Sequence, residues 1–147
     1  MKTRLNALLL CALIAGAFSL TGCGPNLSSL DATVATYAKA FQAKDHELMV
    51  QCHVKADQEK LRKQHEESKK KESTGKEKSW TATAKGSKKV GDFTVGTIEL
   101  KEEGDEKGFD MEFVLVEEDG KWKVSEAKGE EYQKKKLEDL MKGDQKD

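Results

Sequence analysis

The chain has 147 residues, a formal charge of −1, and equal 36% shares of charged and apolar side chains. That length holds one domain and not two independent cores. The near-neutral balance excludes a dedicated nucleic-acid binder, which needs a strongly basic face.

The chain opens with Lys2 and Arg4, and Ala7 to Phe18 is an uncharged, mostly apolar run of 12 residues. This fits the apolar part of a secretory signal. It is too short for a membrane-spanning helix, which needs roughly 20 residues. The run ends at Leu20-Thr21-Gly22-Cys23, which resembles the bacterial lipobox. Small residues at Thr21 and Gly22 let the backbone enter a peptidase cleft, and the Cys23 thiol is the nucleophile that accepts a diacylglyceryl group. The resemblance implies cleavage before Cys23, acylation (palmitate among the chains) and a membrane anchor. The domain would then face the periplasm or the cell exterior. Residues 1–22 read as a lipoprotein signal peptide and 23–29 as the lipidated Cys and a short tether. The competing reading is an ordinary secretory leader with a chance Cys. Gly24 stands where Asp would be the usual inner-membrane retention signal, so it leans towards the outer membrane if the source has one. Loss of the leader takes the charge from −1 to −3, because it holds two basic residues and no acid.

Residues 30–128 read as a single α+β domain. Leu30, Val34, Tyr37, Ala38 and Phe41 recur at helical spacing, with Ser29 or Asp31 placed to cap the start. Asp45 is an N-cap for a short second helix that turns Leu48, Met49 and Cys52 inward. Residues 55–78 hold 15 charged side chains, with only Ala56 and Leu61 apolar. They read as a solvated helix that frays towards Ser73-Thr74-Gly75. From Ser79 the period becomes two. Trp80, Ala82 and Ala84 alternate, and Gly86-Ser87 is the expected turn. In the next strand Phe93 and Val95 have one parity, Ile98 and Leu100 the other. A phase slip at Gly96-Thr97 predicts a β-bulge there. A hairpin loop at 104–108 leads into Phe109, Met111, Phe113 and Leu115, which alternate against Asp110 and Glu112; these two acids should face solvent. Asp119-Gly120 is a tight-turn signal before Trp122 and Val124. Residues 129–147 form a charged C-terminal helix or tail that carries Leu137, Leu140 and Met141.

Helices followed by strands predict N-terminal helices packed on a curved four-stranded antiparallel sheet, cone-like in shape. The opening helix Thr33–Phe41, the Ala43-Lys44-Asp45 break and the closing Asp119–Val124 hairpin resemble the nuclear-transport-factor-two-like superfamily of small cone-shaped domains. That superfamily includes ketosteroid-isomerase-like proteins, and many bacterial lipoproteins of this uncharacterised, cystatin-like type look similar. The polar stretch at 55–78 stands where such domains have a third core helix.

Cys52 has no partner once Cys11 leaves with the leader and Cys23 is acylated, so no internal disulfide forms. A buried core thiol is the simpler reading. His46, Cys52 and His53, with His65, Asp57 or Glu59, are the candidate metal ligands, but no zinc-type spacing joins them. Catalysis by Cys52 with His53 is weak, because neighbours on a helix point about 100° apart. A cone-fold enzyme acting on a small apolar molecule needs an acid among the inward positions, and none falls there. Tyr37, Phe41, Trp80, Phe93, Phe109, Phe113 and Trp122 are the candidate pocket lining, and equally the candidate core. The Lys69–Lys71 run offers a contact to anionic headgroups, tempered by Glu66, Glu67 and Glu72. These readings converge on a lipid-anchored binding or scaffold module of the cell envelope. It would have no cofactor or catalytic residue, and an envelope protein or small ligand as partner.

Overall fold

A computed structural model describes residues 24–71 and 79–143. The lipobox Leu20–Cys23 and the fraying point at Ser73–Gly75 lie outside the described residues. The order is α1 (Leu30–Gln42), α2 (His46–Gln51), α3 (Lys55–Lys71), β1 (Trp80–Val90), β2 (Phe93–Glu102), β3 (Phe109–Glu118), β4 (Lys121–Val124) and α4 (Glu126–Gly143). The strands form one open antiparallel sheet in the order β1-β2-β3-β4. The fold is therefore α+β, with N-terminal helices, a four-stranded antiparallel sheet and a C-terminal helix.

Local chemistry sets the helix ends. The Ser29 hydroxyl accepts from Ala32 N and starts α1. The helix closes with Asp45 N donating to Ala40 O and Lys44 N to Phe41 O, while Lys44 takes a φ of 54°. That is the Schellman pattern, with lysine in the left-handed position that glycine usually fills. Asp45 then accepts from Leu48 N at 2.9 Å and starts α2, as the sequence predicts.

Helix α3 docks in a way the sequence hides. One leucine gives it almost no apolar face, yet borrowed caps hold it. Glu118 of β3 accepts from Lys55 N, at the start of α3. Asp57 of α3 accepts from Glu126 N, at the start of α4. Gln58 donates to His53 O, and Arg62 and Lys60 pair with Glu47 and Glu126. Orphan helix N–H groups are satisfied across the fold instead of within the helix.

Two expectations about the strands are corrected. β1 runs unbroken through Gly86-Ser87, and the chain turns at Gly91-Asp92, where Gly91 has a φ of 58°. The bulge lies in β1, where the register slips between Ala84 and Gly86, and not at Gly96-Thr97. β2 pairs with β3 without interruption from Thr94 to Leu100. The parity change along β2 has a different cause: the sheet is buried on both faces. Ile98, Leu100, Phe113 and Leu115 pack with Val34 and Ala38 of α1 on one side. Val95 and Val114 pack with Tyr132 of α4 on the other. The Asp119-Gly120 turn has positive φ at both residues, 53° and 70°, as a two-residue hairpin of the expected kind requires.

The edge of β4 is covered. Val124 N donates to Cys52 O and Val54 N to Val124 O, so residues 52–54 add a short parallel bridge. Trp122 N donates to Leu27 O at 2.9 Å, and Leu27 is buried. The tether is thus shorter than the sequence implies, because the folded body begins at Leu27. The pairing places Leu27 and both tight turns, Gly91-Asp92 and Asp119-Gly120, at one end of the sheet. Trp80 and Phe109 lie at the other end.

Candidate functional site

The two helical layers leave a cleft between α1, α3, β3 and α4. Tyr37, His53 and Glu126 line both of its lobes, of about 570 and 400 Å³. Tyr37 comes from the apolar stripe of α1, and its ring packs on Phe113 with centroids 4.8 Å apart. Its hydroxyl has no hydrogen-bond partner among the described residues, although every fully buried side-chain polar atom has one. The hydroxyl therefore stays open to the cleft. Burial pushes the Tyr37 phenol up to about 12, with smaller contributions from Cys52 and Glu126. It is a hydrogen-bond donor at neutral pH and not a base.

His53 follows the last turn of α2 and is 6% exposed. Its Nδ1 lies 2.8 Å from Met49 O. A carbonyl only accepts, so Nδ1 carries the proton and in the neutral ring Nε2 holds the lone pair. The ring stands edge-on to Tyr37, with centroids 5.6 Å apart. Glu126 is held by Lys60 at 2.9 Å. The cleft thus offers a hydroxyl donor, an imidazole acceptor and a neutralised carboxylate against an apolar wall. The sequence reading names Tyr37 as candidate pocket lining and equally as core, and His53 only as a weak metal or catalytic candidate. The one available signal, Tyr37 on the helix stripe, cannot distinguish a core ring from one whose oxygen reaches a cleft.

The other candidates do not converge. Trp80 and Phe109 pack edge to face at the far end of the sheet, and Phe109 is 54% exposed. Phe93 lies on the α4 face beside Tyr132. Phe41 and Trp122 pack on the α1-side core with Phe113. The seven aromatics therefore line no common pocket. Asp110 is exposed, but Glu112 is not simply solvated. Tyr132, Lys136 and Lys88 surround its carboxylate, and Lys136 above all holds it below the usual carboxylate range.

The candidate metal ligands also separate. His46 and His53 share no helix face, because α2 ends at Gln51. His46 stacks instead on His65 of α3, with centroids 3.6 Å apart. Cys52 is fully buried, and burial pushes its thiol up to about 12, far from nucleophile or ligand chemistry. Among the described residues, no three His, Cys, Asp or Glu side chains are placed to hold a metal ion. No described helix is long and apolar enough to cross a membrane.

Comparisons with protein-family models, with curated protein sequences and with solved structures returned no match.

Proposed function

We propose that this protein is a lipid-anchored extracytoplasmic lipoprotein whose domain is a binding module of the cell envelope. The observation that carries the anchor is the Leu20-Thr21-Gly22-Cys23 motif at the end of a short apolar leader. Leu27 supports it, because a folded body that starts four residues after Cys23 fits attachment close to a bilayer. The Tyr37–His53 cleft is the ligand site in this reading. It presents one fixed donor and one fixed acceptor beside Phe113, which is recognition chemistry for a small polar molecule with an apolar body. The order of helices, then a strand meander, keeps the nuclear-transport-factor-two-like resemblance within the proposal.

A second reading rests on the same pair of residues. A cone-fold enzyme would use the His53 Nε2 lone pair as base and the Tyr37 hydroxyl to hold a developing oxyanion. The binding reading ranks first because Glu126, the carboxylate shared by both lobes, is committed to Lys60, and Glu112 of the larger lobe to Lys136 and Lys88.

Two measurements test the proposal. Full-length protein and Cys23→Ala are compared by palmitate incorporation and membrane fractionation. The wild type is expected in the membrane pool with label, and the variant without either. An unchanged membrane pool in the variant overturns the anchor. Native mass spectrometry of protein extracted from envelopes then compares wild type with Tyr37→Phe. A bound small-molecule mass that the variant loses supports the cleft, and identical spectra count against it.

A further inference from the structure

The domain is asymmetric about the sheet, and the asymmetry follows the anchor. Leu27, at most roughly 14 Å of chain from Cys23, docks on Trp122 at the end of the sheet that carries both tight turns. Helix α4 starts beside Val114, passes under β3 and β2, and reaches that same end at the β1–β2 turn. There Lys135 approaches Gly91 and sits over the Phe93 ring. Val90, Phe93 and Leu140 line a groove of about 650 Å³ between the turn and the helix.

The last turns of α4 are apolar where they should be polar. Leu137, Leu140 and Met141 are 58%, 62% and 56% exposed. At spacings of three and four they form one stripe on the helix surface. The same helix end and turn carry lysines: residues 86–93 and 133–142 hold six lysines and three acids, and with Glu112, which pairs Lys88 and Lys136, the local charge is +2 on a chain of net −1. By contrast α3 begins beside the Asp119 turn and runs the other way, past Glu126 towards His46. Lys69 lies 14 residues from its start, or about 21 Å along the axis. The Lys69–Lys71 run is therefore carried away from the Leu27 end of the sheet, and the basic, apolar surface at that end belongs to α4.

We infer that the last turns of α4 and the β1–β2 turn form a second membrane contact, which lays this end of the domain on an anionic bilayer. This inference rests on the lipid anchor proposed above. The occupant follows from the position of the anchor and from the charge. The anchor holds this end within a few residues of a lipid surface. Exposed leucines on a helix end with a net positive charge match the apolar-core, anionic-rim chemistry of such a surface. The anchor already holds the chain at the bilayer, so a nearby basic, apolar patch binds at high effective concentration and fixes the orientation of the domain.

The test uses the full acylated chain in vesicles of phosphatidylglycerol with phosphatidylethanolamine. Cys52 is buried and Cys23 acylated, so one introduced cysteine takes a nitroxide label. Leu140→Cys and Met141→Cys are compared with Glu67→Cys on α3. The α4 labels are expected to lose collisions with an aqueous nickel complex severalfold and to gain collisions with oxygen. The Glu67 label should stay aqueous. Vesicles of phosphatidylcholine alone should reverse the shift. Aqueous α4 labels on protein that still pellets with vesicles overturn the docking and leave the anchor standing. Protein that does not pellet overturns both. Dipolar broadening between labels would make a second copy the occupant and overturn the lipid contact. An equal shift on phosphatidylcholine would overturn the anionic recognition.

Discussion

Gly96 leaves room for the Phe113 ring and Val34 of α1 to close on the sheet. A Cβ there would lie 2.6 Å from Phe113 Cε2 and 3.0 Å from Val34 Cγ2. Both neighbours belong to the buried cluster, and Phe113 is the cross-strand partner of Gly96. The phenylalanine ring therefore occupies the space that a side chain would need. Gly96→Ala should destabilise the domain by about 1–3 kcal/mol, the usual range for overpacking a tight core. Urea titration of both proteins checks this, and equal midpoints would refute it. The same residue shows how far the sequence can be read. A glycine at a parity change fits a bulge, and it equally fits a strand buried on both faces with a ring laid over the glycine. Only the partner strand decides, because the register slip sits opposite, between Ala84 and Gly86. Cys52 was easier, since a lone thiol among Leu48, Met49 and Val50 has few places to go but inward. Tyr37 was harder, since the helical period places its ring and says nothing of its oxygen.

Among the elements, α1, α2 and the hairpin at Asp119-Gly120 were legible because their signals are local: a cap, an apolar stripe, a turn pair. α3 and α4 were legible as charged helices, but their docking was not, because what holds them comes from elsewhere. Asp57 caps α4 and Glu118 caps α3, across more than 60 residues in each case. α4 is clasped to the outer face of the sheet by Tyr132 and Glu112. The Tyr132 hydroxyl donates to Glu112 at 2.9 Å and Lys136 donates to the same oxygen at 3.0 Å. Lys136 is the largest reason that the Glu112 carboxyl sits below its usual range. A depressed folded-state value means that ionised Glu112 contributes stability above the unfolded value, about 4.3. That contribution is lost as pH falls through the lower folded value. Glu112→Gln should therefore reduce stability at neutral pH by about 1 kcal/mol, after allowance for partial solvent screening. The difference between the two proteins should close below the carboxylate range. Urea midpoints across the acid limb measure it, and a gap that persists at low pH would rule out the ion pair as its cause.

At the scale of the whole molecule, two small apolar clusters share one sheet. Neither is large, and β2 and β3 contribute side chains to both: Val95 and Ile98 from one strand, Phe113 and Val114 from the other. Separating α1 from the sheet exposes the strands on which α4 rests, and separating α4 does the reverse. The domain should therefore unfold as one cooperative unit. Cys52 reports this directly. It is fully buried, its N–H closes α2, and its carbonyl accepts from Val124 at the edge of the sheet. Its thiol, pushed up to about 12, gives almost no thiolate at neutral pH, and reagent reaches it only through an opening. In the processed, acylated form proposed above, which lacks Cys11, an aqueous thiol reagent should label the detergent-solubilised chain at Cys52 alone. Labelling should be slower than in denaturant by about 10³-fold or more, and the rate should rise with urea in step with the fluorescence of Trp80 and Trp122. A labelling rate independent of urea would mean that the 52–54 bridge opens by itself. The sheet edge at Val124 would then be a separate, weaker unit, and the shared-sheet account of cooperativity would fail.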